Sequence, residues 1–448
     1  MSETQAVRGK IAALRTQLEP KPVEPTVAAP RDGSQQAGAS TGSTSGPQRL
    51  IPRARHILEQ SRELLQRLRT LADGLGQGNA DTDALHRLRY REASAMLELL
   101  PRVMQTFPNT ASAQMRLCEG LEGMLGVVAE HIAKLADANA ENRLERGMIR
   151  RLEELLGTIA ARRPLALDAF RSVADALLAE AEDCRPLRFP SDRGEQPATR
   201  IAAHSLTTAR VVARLVRGDP AMRRNRVNPV IAALLHDVGM LAIPGEILAA
   251  TGPLTDDQRR AMEGHTRAGA ALLTHHFARE TWLIEAAAGH HERLGGMGYP
   301  AKLKDPKINT LARLIAVCDV YAALASARPW RPALDPRTAL TDTLLMAEKG
   351  ELDRRHAERL LLLSFYPIGS VVELVDGAVG LVVAAHTGKT DLSTPARPVV
   401  MLLTDSENRP LAIPRPLDLT QTEHRGVVRT LTPEQRRALL GKRFPELA

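Results

Sequence analysis

The chain has 448 residues, 44% of them apolar and 25% charged, and a formal net charge of +8. These proportions exclude a collagenous, wholly disordered or disulfide-scaffold protein. The length allows two to four domains at ~100–200 residues each. Aromatic residues make up only 3%. Leu- and Ala-rich cores are therefore expected, and those side chains lose little rotamer freedom in helices.

The positive excess reads as a solvated surface rather than a nucleic-acid footprint, so no nucleic-acid polymer is expected as partner. Cys118, Cys184 and Cys318 are far apart, form no CxxC pair and suit a reducing compartment. The first twenty residues carry charges where a signal peptide needs an apolar run. No stretch approaches ~18 uninterrupted apolar residues, so no membrane span is expected. The expected localisation is cytoplasmic.

In chain order, Val7, Ile11, Leu14 and Leu18 recur at helical spacing, which predicts a short amphipathic helix over 3–18. Residues 20–47 are rich in Pro, Gly, Ser, Thr and Gln and predict a flexible linker, giving a tail over 1–49. From 50 to 186 the pattern is helical. Leu58, Leu64, Leu65, Leu68 and Leu71 mark one stripe, Leu117, Leu121, Met124, Leu125 and Val128 a second, and Leu152, Leu155, Leu156 and Ile159 a third. Pro101, Pro108 and Pro164 stand where helices should stop or start. His56, His86 and His131 are isolated, so this part reads as a helical bundle for sensing, dimerisation or partner binding.

Residues 187–197 read as a connection, and helices resume to about 364. Thr255 with Gln258 has the form of a capping box, and Asp335-Pro336 that of an N-cap with proline at the first helical position. After 365 the period changes to that of strands, at 371–375, 379–383, 399–403 and about 411–413. A small barrel-like β module or meander of strands over 365–430 is expected, followed by a helix within 431–448 that opens at Thr432-Pro433-Glu434-Gln435.

Seven of the 13 histidines lie between 204 and 291. The potential metal ligands are His204, the pair His236-Asp237, His265, the pair His290-His291, and Asp319 inside the apolar run LARLIAVCDVYAAL. A carboxylate buried there is costly unless paired or metal-bound. Successive groups stand about one helix and its return apart, so antiparallel helices could bring them to one level. Imidazole and carboxylate without thiolate favour iron or manganese over zinc. Seven ligands are too many for one catalytic ion. Two ions bridged by Asp237, about 3.5–4 Å apart, could activate water and clamp the attacking and leaving oxygens at phosphorus.

The segments HDVG, MEGHTRAGAALL, HHERLGGMGYP and CDVYAALASARPWR, in this order over roughly 198–364, resemble the HD-GYP subfamily of HD phosphohydrolases. The resemblance implies a mainly α protein with an all-helical, metal-dependent HD-GYP domain over 187–364. It also implies hydrolysis of cyclic di-GMP to the linear dinucleotide or GMP. It assigns His204, His236, Asp237, His265, His290, His291 and Asp319 as ligands of two divalent ions, with His236 and Asp237 at the chemistry. Gly298, Tyr299, Pro300, Arg328 and Arg331 would contact substrate.

Three positions depart from the subfamily. Met240 stands where many members carry a lysine that touches a substrate phosphate, a charged hydrogen bond worth roughly 1.5–3 kcal/mol. Trp330 and Pro332 follow Arg328 where an RPYR-Lys pattern is usual, so a second lysine is missing. Arg200 stands one turn before His204, where three-metal members have Glu, so two ions are expected.

Glu292 could orient a ligand or be a solvated helix-end residue. His275-His276 and the run Lys302, Lys304 and Lys307 read as solvated or structural. A catalytically weak cyclic di-GMP receptor or scaffold, motivated by Met240 and Pro332, is the second reading. A phosphohydrolase for another cyclic dinucleotide is the third.

Overall fold

A computed structural model describes residues 47–74, 80–183, 185, 187–189, 196–328, 331, 333–363, 366, 368–386, 396–422 and 424–447. The helix expected at 3–18, the tail as far as residue 46, Cys184, Trp330 and Pro332 lie outside the described residues. Compactness parts the chain into two units, one of the divisions falling between Ala140 and Glu141. The division falls inside a helix rather than in 187–197.

The first unit holds α1 (Pro47–Leu71), α2 (Ala80–Gln105) from Ala84 on, the first part of α3 (Ala111–Ala160) and the last residues of the chain. Leu121, Leu125, Val128, Ile132 and Leu135 alternate three- and four-residue steps on α3 and are buried with Ile57 and Leu68 of α1 and Leu97 and Leu100 of α2. Arg53 holds Glu122 with two bonds of 2.7 and 2.6 Å. Pro101 does not stop its helix, since α2 runs on to Gln105. Its lost N–H removes one helical bond near an end, and its ring faces solvent. Pro108 and Pro164 do lie in breaks between helices.

The second unit begins within α3, whose Ile149, Leu152, Leu155, Leu156 and Ile159 enter a helical core. It continues through α4 (Arg171–Glu182), α5 (Pro197–Arg217), α6 (Val227–Leu235), α7 (Gly245–Leu248), α8 (Asp256–Glu263), α9 (His265–Phe277), α10 (Thr281–Gly289), α11 (Thr310–Ala325), α12 (Pro336–Glu348) and α13 (Arg354–Arg359). Helix α5 is buried almost all round and packs on α4, α6 and α11. Both bonds of the Thr255–Gln258 capping box form, at 3.3 and 2.9 Å. Asp335 caps α12 through Arg337 N at 2.7 Å.

Five antiparallel strands follow: β1 (Val371–Leu374), β2 (Val379–Ala384), β3 (Val399–Thr404), β4 (Pro410–Asp418) and β5 (Val427–Thr430), in the order β4-β3-β2-β1-β5. Of the barrel and the meander, the structure has the meander, β1 to β4 pairing in succession, and the barrel is corrected to an open sheet with β4 and β5 as its edges. Pro410, Pro414 and Pro416 deprive β4 of N–H donors, which suits an edge strand and not a closing pair. Strand β5 is only four residues long and was not expected from the sequence. Helix α14 (Pro433–Leu440) opens with a second capping box, between Thr432 and Gln435.

Candidate metal centre

All seven sequence-predicted ligands converge, mostly from helix ends. His204 comes from the middle of α5. His236 and His290 cap the C-termini of α6 and α10, and Asp237 and His291 follow them. His265 opens α9, and Asp319 lies within α11. A helix end leaves carbonyls without intrahelical partners. The imidazoles use them: His236 Nδ1 donates to Ala233 O at 2.7 Å, His290 Nδ1 to Ala287 O at 2.8 Å, and His265 Nδ1 to Met262 O at 2.6 Å. Because a carbonyl can only accept, Nδ1 carries the proton in each, and Nε2 turns a lone pair toward the cluster.

Asp237 stands between two sets. Its Oδ1 is 3.3 Å from His265 Nε2 and 3.4 Å from His290 Nε2, and its Oδ2 is 3.5 Å from His236 Nε2 and 3.9 Å from His204 Nε2. Asp319 Oδ1 lies 2.7 Å from His204 Nε2 and 3.8 Å from His236 Nε2. The ligand atoms of Asp237, His265, His290 and His291 lie within 4.8 Å of one another, as do those of His204, His236 and Asp237. His236 Nε2 and Asp237 Oδ1 are buried without a hydrogen-bond partner. Burying such atoms unpaired is costly, and a divalent cation satisfies both. The donor set fits one. Cys318, beside Asp319, packs in the apolar core and adds no thiolate.

The electrostatics agree. Burial alone would raise the Asp319 carboxyl, but the His204 hydrogen bond and the surrounding imidazoles hold it far below the usual carboxylate range. Asp237 is likewise held well below that range, against burial, chiefly by His236, His265 and His290. Burial, reinforced by His290, pushes His291 well down, and burial with Arg328 lowers His204. Burial lowers His290 too. Burial acts to lower His265, but the nearby Asp237 and Asp319 carboxylates and the Met262 carbonyl together outweigh it, and His265 is raised. Anionic carboxylates among mainly neutral imidazoles are the protonation states a metal requires.

Two close approaches fix this geometry. A Cβ on Gly239 would stand 2.0 Å from His265 O and 2.4 Å from Gly269 N, so only glycine lets the turn after Asp237 meet α9. A Cβ on Gly298 would stand 2.4 Å from both His291 O and Arg293 N. Gly298 thereby lets the next residue fold back, and the Tyr299 ring stacks on His291 at 4.7 Å between centroids. Burial raises the Tyr299 phenol far above its usual range, so it stays protonated. Pro300 follows a cis peptide bond, and its carbonyl accepts from Arg267 Nη2 at 3.1 Å. Sequence reasoning did not single out Arg267.

The two arginines expected at substrate part company. Arg328 Nη2 lies 3.3 Å from His204 Nδ1, beside the centre. Arg331 donates to Leu324 O at 3.1 Å and Ala323 O at 2.9 Å, so its guanidinium holds the end of α11. Met240 is half-buried one turn beyond Asp237. Arg200 donates to Leu248 O at 3.3 Å. His276 donates to Ile159 O at 3.1 Å, and Lys302, Lys304 and Lys307 are exposed.

A family model for the HD domain matches residues 193–355, so this stretch is an HD domain. Residues 371–439, which hold the sheet, match the KOW domain associated with HD domain. A cyclic di-GMP phosphodiesterase of Pseudomonas aeruginosa is 33% identical over 189 residues, 41% of this chain and 44% of that protein. A cyclic di-GMP phosphodiesterase response regulator of Xanthomonas campestris pv. campestris is 42% identical over 135 residues, 29% of this chain and 35% of that protein. A 3'3'-cGAMP-specific phosphodiesterase of Vibrio cholerae is 36% identical over 104 residues, 23% and 24% of the two chains. The chain thus spans less than half the length of these relatives. No helix among the described residues is long and apolar enough to cross a membrane.

Proposed function

We propose that this protein hydrolyses the phosphodiester bond of a cyclic dinucleotide, cyclic di-GMP first, at a centre of two divalent ions. The observation that carries the reading is the Asp237 carboxylate, with one oxygen toward His265 and His290 and the other toward His204 and His236. Such an arrangement suits a bridge between two ions. His204, His236 and Asp319 would hold one ion, and His265, His290 and His291 the other, with iron or manganese favoured by the donors. When bound, the ions supply Lewis-acid stabilisation of the phosphoryl oxygens and acidify water.

The chain's own groups do the rest. The helix-end carbonyls fix the imidazoles. Tyr299, on His291, offers an apolar ring beside the reacting phosphate. Arg328 offers a guanidinium on the His204 side, where charge accumulates on phosphorus oxygens. Arg331, engaged on the carbonyls at the end of α11, supports the segment that carries Arg328 rather than the phosphate. The relatives' names favour cyclic dinucleotides as substrate class, and the separated cysteines favour the cytoplasm.

Metal analysis of anaerobically purified protein, followed by chromatography of products from cyclic di-GMP, tests the reading. About two ions per chain with linear dinucleotide or GMP is the expected result. Two ions with cyclic di-GMP intact, where an active control turns over, overturns it.

Met240 supports a second reading, a receptor or an enzyme for another cyclic dinucleotide, because a thioether cannot replace the lost cation. On the enzyme reading, Met240→Lys raises kcat/KM about tenfold or more at unchanged metal content, as one charged hydrogen bond should. A variant that binds cyclic di-GMP more tightly and still does not turn it over favours the receptor.

A further inference from the structure

We propose that Glu292 is the positioning residue of the Tyr299 loop, a role that rests on the reading above. Glu292 follows the two residues His290 and His291 and is 3% exposed, and its carboxylate binds the backbone of the loop that follows. One oxygen accepts from Ala301 N at 2.7 Å and the other from Leu303 N at 2.9 Å. The loop between is a short ribbon. Gly295 bridges Lys304 in antiparallel fashion, Asp305 N donates to Leu294 O at 3.2 Å, and Leu294 N donates to Glu351 O at 3.1 Å. Inside it, Tyr299 N donates to His291 O at 3.3 Å.

Lys302, between residues 301 and 303, has a positive φ of 53°, so the chain turns there and brings both N–H groups onto one carboxylate. Inside the loop no backbone acceptor serves them. A carboxylate fits because it offers acceptors on both oxygens and no donor. The Ala301 bond fastens the residue next to Pro300, and through it the ring of Tyr299 on His291. The ligand segment and the substrate-facing segment are thereby joined by one side chain. Number of acceptors, rather than charge alone, is what the site demands. Glutamine supplies one acceptor and turns an NH₂ toward the other N–H.

The experiment uses full-length, metal-loaded protein carrying Glu292→Gln, with Glu292→Asp as the conservative variant that keeps both acceptors. Amide hydrogen exchange, metal content and kinetics on cyclic di-GMP are read together. In Glu292→Gln, the amides of Tyr299, Ala301 and Leu303 exchange faster, those of α11 are unchanged, and metal content is retained. KM rises about tenfold, up to ~10²-fold, more than kcat falls, as loss of substrate positioning predicts. Glu292→Asp lies between the two.

Tyr299→Leu added to Glu292→Gln costs much less than Tyr299→Leu alone, because both act through one ring. A merely structural role would leave the two losses additive. Native exchange of the three amides in Glu292→Gln, or additive losses, overturns the proposal. So does loss of metal in both variants, which would make Glu292 a support of the ligands. If wild-type protein turns over no cyclic dinucleotide, the functional reading falls, and the exchange and metal arms still decide the positioning role. If Glu292→Gln does not fold, Glu292→Asp decides by the same readouts.

Discussion

Two buried polar clusters lie in the second unit, and they are built in opposite ways. In one, Arg210 of α5 is wholly buried. Its guanidinium reaches Glu180 of α4 at 2.7 Å and Glu145 of α3 at 3.0 and 2.6 Å. Burial opposes its charge, but the two carboxylates outweigh burial and raise it far above the usual arginine range. In the other, seven ligand side chains converge, with His236 Nε2 and Asp237 Oδ1 unpartnered. The first cluster is closed on itself and asks for nothing. The second is open toward its own centre. Burial of polar groups is common to both, so burial alone does not mark a site. The unfilled valence of converging donors does.

Asp237→Ala breaks the open cluster most severely, because it removes the group shared by both halves. Metal content should fall from about two ions to fewer than one. Turnover should fall at least ~10⁴-fold, since several kcal/mol of charge stabilisation go with the ions and each 1.36 kcal/mol is tenfold. Elemental analysis and product chromatography check this. Full metal content in the variant would show that Asp237 is not the bridge.

Arg210→Met should break the closed cluster without touching the open one. It leaves Glu145 and Glu180 facing each other with little solvent, a loss of about 3–5 kcal/mol for a broken buried pair. Denaturant unfolding should show this loss, with two ions per folded chain retained. The sharper test replaces all three, Arg210→Met with Glu145→Leu and Glu180→Leu. An apolar triad of similar volume should recover stability to within about 1 kcal/mol of wild type or exceed it. If Arg210→Met instead releases metal at unchanged stability, the two clusters are one system and the comparison fails.

Sequence reveals these clusters unequally. The seven ligands are legible because His and Asp are rare types in apolar helical context, and their order carries the resemblance. Their shared level follows from the similar spacing of successive groups along the chain, each about one helix and its return. The capping boxes at Thr255 and Thr432 are legible because cap chemistry is local. Arg210 is not, since one arginine in LTTARVVARLV looks like any solvated charge and its partners lie far away in sequence. The division inside α3 is hidden for a related reason. The helix runs unbroken from Ala111 to Ala160, while its residues up to Leu135 enter one core and those from Ile149 another. Arg331 reads as a phosphate ligand until its bonds to α11 carbonyls appear. Glu292 reads equally as ligand support or solvated residue until its two backbone partners are seen. Strand β5 is too short to stand out by alternation.

His356 sharpens the comparison from between the two cases and carries the smallest effect. It is buried, with Nδ1 lacking a well-formed bond, although Asp353 Oδ1 lies 3.3 Å away. No second donor converges on it among the described residues, so an orphaned atom here marks a constraint rather than a ligand site. Burial lowers its pKa most; Arg359 and Arg355 act in the same sense, and Asp353 opposes them. The folded state therefore refuses a proton that the unfolded chain accepts below its imidazole pKa of about 6.5. Stability then falls as pH drops through that value, and above it the group contributes no pH dependence. Unfolding midpoints of wild type and His356→Leu, compared at pH 7.5, 6.5 and 5.5, isolate this group, because the metal-cluster histidines are common to both. Wild type should lose stability relative to the variant on acidification. A difference that stays constant with pH would mean that Asp353 cancels burial and leaves the folded pKa at its unfolded value, whereas a relative gain on acidification would mean that Asp353 holds the imidazolium and that His356 belongs with the closed cluster.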